Sequence, residues 1–114
     1  MRHRQKTAFG EYLVSEIKKA GITQEEFYTA VGIKKPYFYD WLAATPPPVE
    51  IQDKIAAVFD EKTGADASRR QKIYELAAEG RGEIPADIVK LIREHPTKLD
   101  MIRTELTKLL AAQG

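Results

Sequence analysis

Between Lys34 and Asp40 the chain reads KKPYFYD, its densest run of side chains able to recognise another molecule. Lys34 and Lys35 are adjacent ammonium donors, Tyr37 and Tyr39 carry hydroxyls on flat rings, Asp40 is a carboxylate acceptor, and Pro36 presents a bare ring. A lysine can donate to guanine O6 or N7, an aspartate can accept from cytosine N4, and a proline or tyrosine ring can touch a thymine methyl. Lys34 and Tyr37 suit phosphate oxygens, contacts that fix register without reading sequence. Blander readings stand beside these: Asp40 neutralising a lysine, Tyr39 as a half-exposed aromatic. Strong base readout uses bidentate Arg, Asn or Gln, and this run holds none of them.

Catalysis has thinner support. The two histidines, His3 and His95, stand in an N-terminal tail and beside a proline, and the chain has no cysteine. Neither histidine lies near a nucleophile motif. GRGE at 80–83 is too short to cradle a phosphate and reads as a turn. Glu25 and Glu26 suit a helix N-terminus, where negative charge complements the dipole. No enzyme, catalytic residue, metal site, cofactor or small-molecule ligand is expected.

The chain has 114 residues, enough for one modest core with a short appendage. With 43% hydrophobic and 31% charged residues it is composed as a folded globular protein rather than a disordered one. No apolar run approaches the roughly 18 residues of a membrane span, and MRHRQKTAFG lacks a signal peptide's apolar stretch. A cytoplasmic protein without a membrane partner is expected. A net charge of +1 excludes attraction of nucleic acid by bulk charge, so any such attraction must come from local clusters. Residues 1–45 carry seven Lys or Arg against five Asp or Glu. The clusters are Arg2, Arg4 and Lys6 at the terminus, Lys18 with Lys19, and Lys34 with Lys35, each also consistent with a solvated face.

Helices must position these groups. Phe9, Leu13, Ile17 and Ala20 recur at helical spacing between Thr7 and Gly21, predicting a helix over 8–20. Thr23-Gln24-Glu25-Glu26 has capping-box spacing and opens a second helix, 24–31, that ends at Gly32. A third begins at Pro36, since proline is tolerated in a first turn. TPPP then forms a rigid connector. Further helices are expected at about 49–59, 68–79, 85–95 and 97–111, with DEKTGAD as a loop and no strand pattern.

Within the third helix, at about 100° per residue and with Phe38 pointing inward, Trp41 and Leu42 fall on either side of it. Pro36, Tyr39, Asp40 and Ala43 land on the opposite half. Phe27 and Val31 give the second helix an inner face, and Ile33 fills the turn. Two short helices so joined must cross steeply and leave the outer side of the second projecting, as a helix inserted in the major groove requires.

Thr23, Gln24, Phe27, Val31, Gly32, Ile33, Phe38 and Trp41 stand where the Cro/CI-type (Xre-like) helix-turn-helix regulator family has its pattern T-Q-x-x-L-A-x-x-x-G-v-x-x-x-x-I-x-x-W/I. The chain resembles that family over residues 9–59. The resemblance implies an all-α, lambda-repressor-like five-helix DNA-binding domain, placed here at 7–66, with 67–114 as a C-terminal helical extension. It implies base contacts by Lys35, Pro36, Tyr39 and Asp40, and a phosphate contact by Gln24 at a helix N-terminus. Lys34 and Tyr37, with Arg4 and Lys6 of the basic arm, complete the phosphate set. Departures from the pattern are Tyr28 in place of a small residue between the helices, Leu42 in place of a polar one, and TPPP in place of a polar, basic loop.

Leu99, Ile102, Leu106 and Leu109 alternate spacings of three and four, a narrow apolar seam. Two destinations are open to it: the preceding helices of the same chain, or a second copy in a homodimer. Double-stranded DNA and a second copy are the expected partners, and a repressor-type regulator on a palindromic operator is the expected function. The alternative is a protein-interaction module on the same fold, antitoxin-like or inhibitor-like, suggested by Tyr28, Tyr37 and Tyr39 and by the near-neutral charge.

Overall fold

The computed structural model describes residues 6–112. Among them the elements are α1 Ala8–Lys19, α2 Gln24–Val31, α3 Lys35–Ala43, α4 Val49–Thr63, α5 Ala67–Arg81, α6 Ala86–Arg93, a 3₁₀ turn Pro96–Lys98 and α7 Leu99–Ala112, with no strand. The all-α expectation is met. Thr7 caps α1 by accepting from the Gly10 amide, and Asp66 caps α5 by accepting from Arg69. Two ends differ from the sequence reading. Lys35 rather than Pro36 begins α3, with Lys34 as its cap residue. α4 runs past Phe59 to Thr63, because the Thr63 hydroxyl donates to the Phe59 carbonyl at 2.9 Å and Arg69 holds both Asp60 and the Gly64 carbonyl.

Phe27 lies at the centre of the core, stacked on Phe59 at 5.1 Å and tilted against Phe38 at 6.0 Å. α1 adds Phe9, Leu13 and Ile17, α3 adds Trp41 and Leu42, and α4 adds Ile55. Ile73 and Ala77 of α5 are fully buried in this same cluster. One core therefore crosses the division expected at residue 66. The helix after the TGAD loop is a wall of the body, and the extension proper starts with α6.

The prolines are more than a connector. Pro46 and Pro47 are fully buried. Gly80 admits the Pro46 ring, since a Cβ there would lie 2.6 Å from its Cγ. The buried Gln52 donates to the Pro47 carbonyl at 2.9 Å, and Arg81 to the Pro46 carbonyl at 3.1 Å. These bonds satisfy carbonyls that no helix ladder reaches.

Polar clamps tie α4, α5 and α6. Asp60 receives Arg69 and Arg70. Asp53 receives the Tyr74 hydroxyl and the Lys90 ammonium at 2.6 Å, and Lys90 also lies 3.2 Å from the Tyr74 oxygen. Burial pushes the Asp53 carboxyl up, but the bonds from Lys90 and Tyr74 and the charges of Lys90 and Arg70 outweigh it and hold the pKa below the ordinary value. The Arg70 bond, opposed by burial and assisted by Arg69, lowers Asp60 likewise. Because both folded pKa values are depressed, the stability they contribute is present above the unfolded value of about 4 and is lost as pH falls through the folded values. Urea midpoints followed by circular dichroism are expected to fall as the pH drops below about 4. Asp53→Asn should flatten that fall, and an unchanged acid limb would show that the clamp does not couple to folding.

Candidate nucleic-acid interface

The α2–α3 corner is built as its residues require. The capping box forms at both of its bonds, Glu26 amide to Thr23 hydroxyl at 3.0 Å and Thr23 amide to Glu26 carboxylate at 2.8 Å. The backbone bond from Thr23 is the main reason the Glu26 pKa lies below the usual carboxylate range. Gly32 ends α2 in the left-handed region at φ 91°, and its amide and that of Ile33 both donate to the Tyr28 carbonyl at 3.0 Å. A side chain with a Cβ is strained in that conformation.

Phe38, Trp41 and Leu42 fasten α3 to the core. The other side of the helix is open: Lys34, Lys35, Pro36, Tyr37, Tyr39 and Asp40 are all exposed, Tyr37 at 66% and Tyr39 at 43%. Neither α7 nor any other described segment lies over them as a principal neighbour of α3, which packs on α1 and α2. Asp40 forms no ion pair with a described residue. Lys35 instead places its ammonium 5.8 Å from the centre of the Tyr39 ring. That contact keeps Lys35 and Tyr39 together on one side of the helix.

Gln24 is half-buried at the start of α2. Lys6 is exposed and stands next to Thr7, whose amide donates to the Leu42 carbonyl at 2.9 Å. Lys6 therefore stands near the carboxyl end of α3. Arg4 lies outside the described residues. Tyr28 is not the free aromatic that the sequence suggested: it is half-buried, its ring 5.3 Å from that of Phe38. The large residue between the helices is absorbed by ring packing, and only Tyr37 and Tyr39 remain as open tyrosines.

Sequence reasoning missed Gly10. It lies in the first turn of α1, against the last turn of α3, where an added Cβ would overlap the Leu42 carbonyl. Gly10 sets how closely α3 approaches the body, and hence how far its outer face stands out. The available signal was a lone glycine inside a helical pattern, which costs helix stability and so suggests a packing reason.

Leu99, Leu106 and Leu109 are exposed, and Ile102 is only half-buried. Their seam does not pack on the preceding helices. The principal contact of α7 is with the 3₁₀ turn that leads into it. Beside α6 an open cleft of about 520 Å³ is floored by Val49, Ile84, Ala86 and Val89 and edged by Glu50, Glu83, Lys90 and Arg93. Among the described residues no helix is long and apolar enough to cross a membrane, and no cluster of acidic or histidine side chains is arranged to hold a metal ion. No protein family, curated protein or solved structure matches this chain.

Proposed function

We propose that this chain is a sequence-specific double-stranded DNA-binding regulator of the repressor type, acting as a homodimer on a palindromic operator. The observation that carries the reading is the open outer side of α3, with Lys35, Pro36, Tyr39 and Asp40 exposed on a helix whose inner side is anchored by Phe38 and Trp41. In this reading α1–α5 are the lambda-repressor-like domain, α2 and α3 its helix-turn-helix, and α6–α7 the extension. Lys35 and Asp40 read guanine and cytosine edges, while Pro36 and Tyr39 meet thymine methyls. Gln24, Lys34, Tyr37, Lys6 and Arg4 hold phosphates, Gln24 with help from the amides that begin α2. No reaction is assigned to it. Two copies are needed because one α3 spans only a few base pairs, whereas two set about 34 Å apart match successive major grooves.

Selection of random duplexes by the purified protein, at two salt concentrations, tests this. An enriched palindrome is expected, and no enrichment at the lower salt would remove the reading. On the selected site, affinity should fall steeply with salt. Lys34→Ala should reduce the slope of log K against log salt by about 1, near 0.9 for its one neutralised phosphate. Fluorescence anisotropy at several salt concentrations measures it, and an unchanged slope would place Lys34 off the backbone.

The second reading, a protein-interaction module, is favoured by one observation. Tyr37 and Tyr39 stand open on a face that lacks Arg, Asn and Gln, and tyrosine favours protein interfaces. Salt-insensitive binding to a protein partner, with no duplex selected, would be its signature.

A further inference from the structure

We infer that α7 of one copy of the chain lies along α6 of a second copy, so that the homodimer forms by exchange of carboxyl-terminal arms. This gives the dimer of the preceding reading its interface, and its test needs no DNA. The first observation is that α7 stands away from the body. The radius of gyration is 16.5 Å, where about 13 Å is expected of a compact chain near this length. Of the side chains described between 99 and 111, Ile102 alone is even half-buried. A 14-residue helix is marginal in water without a tertiary partner. Leu110, which the seam read from the sequence did not include, falls beside Leu99 and Leu106 on the helix surface, so the apolar stripe is about 100° wide.

The second observation is an equally uncovered face on α6. Ala86 is buried against the body and Lys90 is clamped to Asp53, which turns Ile88 and Leu91 outward, with Ile84 just before the helix. The chain's own α7 does not cover them, because the 3₁₀ turn directs it elsewhere. One chain thus carries two unpartnered apolar faces that a two-fold exchange would cover together.

Charge favours this arrangement over pairing of α7 with α7. In heptad terms the α7 stripe is flanked by Arg103 on one side and by Lys98 and Glu105 on the other. Two parallel copies would set Lys98 opposite Arg103, and two antiparallel copies would bring Glu105 close to Glu105. The α6 face is flanked by Asp87 and Glu94 on the side that Arg103 of a parallel, incoming α7 would meet. Among the described residues Arg103 is held only by Asp100, in a solvent-exposed pair that is easily given up.

The chain lacks cysteine, so single cysteines report chain-to-chain proximity without background. Ile88→Cys in a tagged copy and Leu106→Cys in an untagged copy are mixed at micromolar concentration and joined with a short bis-maleimide. The expected main product is a tagged–untagged heterodimer, from a protein that light scattering finds as two chains. A monomer, or coupling of Leu106→Cys mainly to itself, overturns the exchange. Leu106→Asp with Leu109→Asp should give single chains, and a dimer that survives also overturns it. The body of these variants should melt unchanged, because neither leucine packs in the core. If the duplex selection fails while the cross-link forms, the regulator reading falls and the exchange stands.

Discussion

Gly10→Ala is expected to destabilise the protein by about 3 kcal/mol, the upper part of the range for overpacking, and to weaken DNA binding beyond what lost stability explains. Elsewhere in a helix the same change stabilises by roughly 0.5–1 kcal/mol, because alanine loses less chain entropy on folding. Here the new methyl would meet the Leu42 carbonyl, its carbon and its Cα, all backbone atoms with no rotamer to escape into. α1 and α3 must then part. The Thr7 amide bond to Leu42 stretches, and the outer face of α3 turns relative to the basic arm. Urea unfolding gives the stability change and anisotropy on the selected site gives the affinity. A neutral or stabilising Gly10→Ala would mean that α1 and α3 part readily at Gly10 and Leu42.

Phe38→Ala and Tyr39→Ala, one residue apart, should fail in opposite ways. Phe38 is fully buried, with the rings of Phe27, Tyr28, Tyr39 and Trp41 between 5.3 and 6.4 Å from its own. Its truncation should cost about 3–5 kcal/mol, out of a total near 5–15 kcal/mol for a domain. Such a variant is expected to be partly unfolded at 37 °C. Tyr39→Ala removes only an edge contact at 5.6 Å and the stacked Lys35, so its stability should change by about 1 kcal/mol or less. Its affinity for the selected duplex should fall by about 1–3 kcal/mol, the scale of one base contact. Thermal melts and anisotropy on both variants separate the roles. Tyr39→Ala binding DNA as tightly as the parent would take the base-reading role away from that face of α3.

Local rules made most of the helices legible. Thr7, Thr23 and Asp66 each satisfy a first-turn amide, and Gly32 and Gly82 end helices in the left-handed region; such features depend on a few neighbouring residues. The inner face of α3 was equally legible, because 100° per residue places Phe38, Trp41 and Leu42 together wherever the helix finally lies. The end of α4 was not. Asp60 and Thr63 look like loop residues until Arg69 and Arg70, nine and ten positions after Asp60, bind its carboxylate. Nor was the burial of Pro46 and Pro47, which depends on Gly80 admitting a ring from across the fold.

The amino-acid sequence by itself determined which segments are helices, which face of each is apolar, and that Lys35, Pro36, Tyr39 and Asp40 share one side. These are properties of short stretches, set by capping bonds and by helical period. Only the tertiary structure decided that α5 belongs to the central core, that Tyr28 packs inward while Tyr37 and Tyr39 stay open, and that α6 and α7 leave their apolar faces uncovered. Such outcomes depend on which surfaces meet across long separations in the chain. Helical period says that a face must be covered, but only packing says what covers it.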